Sequence, residues 1–318
     1  MRIRSHLRTG FLVISIGTLV VALMSSEDLA WMFDPNRAEL TSYSLPRTPW
    51  GDPDLQGAYT NTDERGIPME RPDQQGWLQS ISTAVLGDGR ARPGRKPAST
   101  DWEPTFEAAP NHSRAWLVVD PVDGKIPPLM PEASRRSADR ALWHQRAAAP
   151  WIPLGLLVRC ISRGMPESMM PAVYGNVYDI TQGPGVIAIR YEMINETRVI
   201  PLDGRPRIGP AIRSYMGDAR GRFDGNALIV ETTNFTGKTP FHGSSDSLRL
   251  IERFAPIAAD RLEWSVTLDD PMTWSSPWTF AMNLTRATHG PLEFACHEGN
   301  YALRNILKMQ APIPTVEP

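Results

Sequence analysis

The chain has 318 residues and a formal net charge of −2, from 33 basic and 35 acidic side chains. A balance so near neutral gives no electrostatic reason to seek nucleic acid. There is no Cys-x-x-Cys, no His-Glu-x-x-His and no glycine-rich loop between a strand and a helix, so neither a metal nor a nucleotide cofactor is expected.

The first 26 residues read as an export leader. Arg2, Arg4, His6 and Arg8 form a basic head before the apolar run Phe11 to Met24. That run has the length of a signal-peptide core and falls short of the ~20 residues that cross a bilayer. Met24-Ser25-Ser26 is a poor cleavage site, so the segment is either a signal peptide or an uncleaved N-terminal anchor. Both readings place the protein outside the cytoplasm: periplasmic, secreted, or held at the inner membrane by the leader alone. In an oxidising compartment Cys160 and Cys296 form one disulfide or stay as two buried thiols.

Residues 27–153 read as an extended arm. Of the 30 prolines, 16 fall between residues 35 and 153, interspersed with Trp50, Trp77, Trp102, Trp116, Trp143 and Trp151. Proline lacks a donor and fixes φ, so regular sheet throughout is excluded. So many tryptophans do not suit a solvated linker, and the arm is expected to lie over a core, pinned by aromatic anchors. Within it, residues 132–149 read as a helix, with Pro131 in the first turn and Pro150 ending it.

Residues 154–311 read as the barrel domain, and between Val186 and Tyr301 apolar and polar side chains alternate, the rhythm of strands with one buried face. Strands are expected over 185–194, 213–216, 228–234, 248–254, 261–268, 278–286 and 292–297. Asp224-Gly225 forms a tight hairpin turn, and Pro256 lies in a loop. Leu248, Leu250, Glu252 and Phe254 share one face, as do Leu262, Trp264, Val266 and Leu268. The expected fold is mainly β, an antiparallel lipocalin-like barrel with a Pro/Trp-rich N-terminal arm and one helix.

Four stretches carry a resemblance: Pro49-Trp50-Gly51-Asp52-Pro53-Asp54-Leu55-Gln56-Gly57, Met216-Gly217-Asp218-Ala219-Arg220-Gly221-Arg222-Phe223, Glu231-Thr232-Thr233-Asn234-Phe235 and Ala295-Cys296-His297-Glu298-Gly299-Asn300-Tyr301. Together they resemble a family of exported bacterial proteins, over most of the mature chain. The resemblance implies a periplasmic or secreted location and supplies neither a reaction nor a catalytic residue.

Three constellations are candidates for chemistry. Arg190 and Glu192 share a strand face opposite Ile189, Tyr191 and Met193. Facing inward, they orient or polarise a substrate; facing outward, they are a surface pair and Tyr191 is core. Asp218 and Arg220 are either contacts at the barrel mouth or residues of a solvated hairpin tip. Cys296-His297-Glu298 is expected to end a strand, with Glu298 in the buried row and His297 opposite, so that either transfers a proton. Tyr191 and Trp264 are further candidate substrate contacts. These residues suit a cofactor-free acid–base enzyme of the isomerase, cyclase or lyase type, acting on a small apolar molecule in the barrel cavity. A non-catalytic cell-envelope carrier would use the same cavity for a small apolar ligand.

Overall fold

The computed structural model describes residues 45–72, 113–146 and 155–310; the leader and Trp77, Trp102 and Trp151 of the arm lie outside them. In chain order the elements are β1 (Gly57–Thr60), β2 (Val118–Asp120), α1 (Pro131–Arg146), β3 (Val177–Gly183), β4 (Val186–Tyr191), β5 (Thr197–Pro201), β6 (Asp218–Asp224), β7 (Ala227–Thr233), β8 (Arg249–Ala258), β9 (Arg261–Asp269), β10 (Trp278–Arg286) and α2 (Tyr301–Gln310).

The strands form a mainly β, antiparallel, nearly closed barrel, in the order β5-β4-β3-β1-β10-β9-β8-β7-β6. Every hydrogen-bonded pair along that path is antiparallel. Strand β2 pairs with the opening residues of β10, whose closing residues pair with β1. The alternation read from the sequence is present: along β9 the side chains of Leu262, Trp264, Val266 and Leu268 are buried, and those between them are half-buried.

Nine staves, an odd number, dictate where the barrel stays open. Alternating directions along the path leave its two end strands, β5 and β6, running the same way. No hairpin can join parallel neighbours, so residues 202–217 must return along the barrel before β6 begins. This strap is pinned to β6 and β7. Arg207 donates to the carbonyl of Asp218 at 2.8 Å and the carboxylate of Glu231 at 2.7 Å. Asn234 donates to the carbonyls of Ile208, Gly209 and Ile212. The seam itself is closed by side chains, with Ile200 and Leu202 packed directly over Gly221. A Cβ on Gly221 would lie 2.6 Å from Leu202 and 2.7 Å from Ile200.

Several expectations are corrected. The barrel begins well before residue 154, because β1 is a stave between β3 and β10 and β2 adds to β10. At four and three residues these strands are too short for alternation to register. No strand covers 213–216, where Ser214 makes one isolated bridge to Phe235. Pro256 lies within β8, at a register shift that tolerates its missing donor. Residues 292–297 form no strand, and Leu292 is 60 % exposed. The described residues contain two helices rather than one, and α2 starts with an N-cap: Asn300 Oδ1 accepts the Leu303 amide at 3.1 Å.

Gly221→Val will push β5 away from β6 and destabilise the fold by ~1–3 kcal/mol, the usual cost of overpacking. Urea denaturation monitored by tryptophan fluorescence checks this.

Candidate functional site

The barrel interior holds side chains where the sequence reading placed a ligand. Trp264, Trp278, Phe254 and Phe280 are 0 % exposed, so none of them touches a water-sized void. Their rings meet in series, tilted or edge to face: Phe254 to Trp264 at 6.3 Å, Trp264 to Phe280 at 5.6 Å, Phe280 to Trp278 at 6.0 Å.

Among these rings lies an ion pair. Arg198 of β5 and Glu252 of β8 have side chains 3 % and 0 % exposed and meet through two hydrogen bonds, of 2.5 and 3.0 Å. Trp264 Nε1 donates to Glu252 Oε1 at 3.1 Å. Burial alone would lower the Arg198 pKa, but the Glu252 carboxylate and the nearby Tyr191 raise it above its ordinary value. Burial also drives the Tyr191 and Tyr178 phenols well above theirs, so both stay neutral. These are structural groups, closed off from any reacting molecule.

The positions of the sequence candidates follow from this. Tyr191 and Trp264 are core residues of the barrel. Arg190 is on the outer face and donates to Asn195 Oδ1 at 3.4 Å. Glu192 lies beyond the end of β4, where it accepts the Val177 amide at 3.2 Å. Asp218 and Arg220 sit at the start of β6, away from the hairpin tip at Asp224 and Gly225. Asp218 accepts the Ile208 amide at 3.0 Å, and Arg220 donates to the carbonyls of Arg205 and Pro206 at 3.1 and 2.7 Å. Both brace the strap rather than line a barrel mouth. His297 and Glu298 are exposed in a turn before α2, not in a buried row, because the strand expected there does not form. Arg198 and Glu252 escaped the sequence reading as a pair. The available signal was a charge, Glu252, standing in the apolar row Leu248, Leu250, Phe254.

An open groove lies at the end of the barrel where β3 begins and β4 ends. Its volume is 630 Å³, and its walls come from Leu157 and Val158, from 172–174, from Met193, and from 293–296 with 298–302. The Cys160–Cys296 disulfide, with Cα atoms 5.7 Å apart, ties two of these walls together. Asn300 Nδ2 adds a hydrogen bond to the Val158 carbonyl at 3.0 Å, and Asn195 Nδ2 one to the Phe294 carbonyl at 2.9 Å. Three of the non-glycine residues with positive φ cluster here: Cys160 at 56°, Ile194 at 66° and Asn195 at 55°. For a β-branched residue such as Ile194 that conformation is strained, and strain of this kind collects at ligand clamps and switches. The groove thus gathers two sequence candidates, Cys296 and Glu298, on the outside of the barrel.

No protein-family model matches the chain, and no curated protein does. Among solved structures it is similar to a secretary abundant heat soluble (SAHS) protein from Ramazzottius varieornatus, at 10 % identity and a TM-score of 0.24, over 35 % of this chain and 70 % of that one. A likeness of that size carries no functional weight.

Replacing Glu252 by Gln leaves the buried Arg198 without its counter-charge and will cost ~3–5 kcal/mol. The double change Arg198→Met with Glu252→Leu will recover most of that loss or exceed wild-type stability. Guanidinium unfolding of the three proteins measures both effects.

Proposed function

We propose that this chain is an exported, non-catalytic binding protein for a small, largely apolar molecule, held in the groove beside the Cys160–Cys296 disulfide. The carrying observation is the groove itself: at 630 Å³ it falls within the range of small-molecule sites, and Leu157, Val158, Val173, Met193 and Phe294 give it apolar walls. The packed interior leaves the outer groove as the favoured place for a ligand. The disulfide fits an oxidising compartment such as the periplasm.

Acid–base catalysis is the weaker reading. Glu298 lines the groove, but it is exposed and in a turn. A proton-transferring carboxyl works best where water is excluded and the substrate is positioned.

Titration with the neutral fluorophore N-phenyl-1-naphthylamine tests the binding role. The account expects saturable fluorescence enhancement, weakened at least tenfold by Tyr174→Ala with Phe294→Ala. Tyr174 is 60 % exposed, which spares the fold that change. Absent enhancement, or enhancement indifferent to both changes, contradicts the proposal.

A further inference from the structure

The charge and aromatic content of the groove point to a narrower ligand class. We infer that it takes an organic cation, an ammonium group on an apolar body; this rests on the groove being the binding site. The charged side chains lining it, Glu293 and Glu298, are both carboxylates. Neither has a hydrogen-bond or ion-pair partner among the described residues. Several carboxylates elsewhere are committed to arginine: Glu231 to Arg207 and Arg249, Asp203 to Arg205, Asp218 to Arg220, Glu252 to Arg198. The polar lining residue Asn300 is likewise used up, accepting from Leu303 and donating to Val158.

Aromatic faces complete the site. Tyr174 and Phe294 stack with centroids 6.1 Å apart, and Tyr174 and Tyr301 are 60 % and 63 % exposed. Ring faces attract cations through their quadrupole, and quaternary ammonium groups are bound by such aromatic walls. The protein displays the same attraction internally: the Arg304 guanidinium lies 5.5 Å from the centroid of the Tyr301 ring. No cation among the described residues forms an ion pair with either carboxylate: Arg304 lies over the Tyr301 ring, Arg65 donates to the Val173 carbonyl at 3.3 Å, and Arg190 donates to Asn195. Two unpaired carboxylates, exposed aromatic faces and aliphatic walls match a cationic head on a hydrocarbon body. They repel a carboxylate of equal length.

Isothermal titration calorimetry with decyltrimethylammonium, decanol and decanoate, each below micelle formation, separates head-group from chain. The expected result is decyltrimethylammonium about tenfold tighter than decanol, as cation–π and surface charge attraction allow, with decanoate weakest. In the double variant Glu293→Gln and Glu298→Gln the cation preference should fall to a few-fold, the part that the aromatic faces supply. Decanol binding as tightly as the cation overturns the charge assignment and leaves the binding role standing. A cation preference undiminished by both Gln changes overturns it too, because the carboxylates then contribute nothing to it. Failure of all three ligands to bind removes the binding role and this inference together.

Discussion

The Arg198–Glu252 ion pair joins two parts of a sheet that backbone hydrogen bonds leave open. Strand β5 ends the sheet on one side, and β8 lies two strands in from the other. A charge pair this deep is costly to desolvate and is held only because both partners are multiply bonded: Glu252 accepts from Arg198 twice and from Trp264 once. Its position crosses the interior, so it fixes how far β5 can drift from the rest of the wall. The seam, the strap and the packed core all presuppose that distance. Gly221, bare of a side chain under Ile200 and Leu202, is the complementary feature on the open side.

Three of the four motif stretches are explained by the sheet's construction. Gly57 carries φ of +126°, and a Cβ there would collide with the Arg286 guanidinium, which packs on the Tyr59 ring at 4.5 Å. That arrangement sets β1 between β3 and β10. The stretch around Asp218 and the one around Thr232 hold the strap: Arg220 and Asn234 donate to its carbonyls, and Glu231 receives Arg207. The fourth stretch is different in kind. Cys296 anchors the groove wall, Glu298 lines it, and Asn300 caps α2.

This division explains what could be read from the sequence. Long half-buried strands announce themselves, so β9 and β10 were legible nearly to the residue, as was the turn at Asp224-Gly225. Strand β5 was not legible because its pattern is inverted: Arg198 points inward while Val199 is 57 % exposed. The same inversion hid the ion pair. Strand alternation carried past His289-Gly290-Pro291 puts Glu298 in a buried row, but the backbone there is no longer a strand. Helix α2 was missed for the same reason, although Leu303, Ile306 and Leu307 carry a helical spacing. The groove is beyond any one-dimensional reading, since its walls come from four separated segments brought together by a disulfide and two asparagine side chains.

The central claim is that this barrel keeps its interior for packing and binds on its outer end. A crystal structure of the protein grown with 2-bromonaphthalene tests it most directly, because the anomalous signal of bromine locates the ligand without bias. The account places that signal between Tyr174, Met193 and Phe294, with Trp264 and Glu252 unmoved. Bromine inside the barrel, among Trp264, Phe280 and Glu252, would contradict it and restore the cavity as the working site.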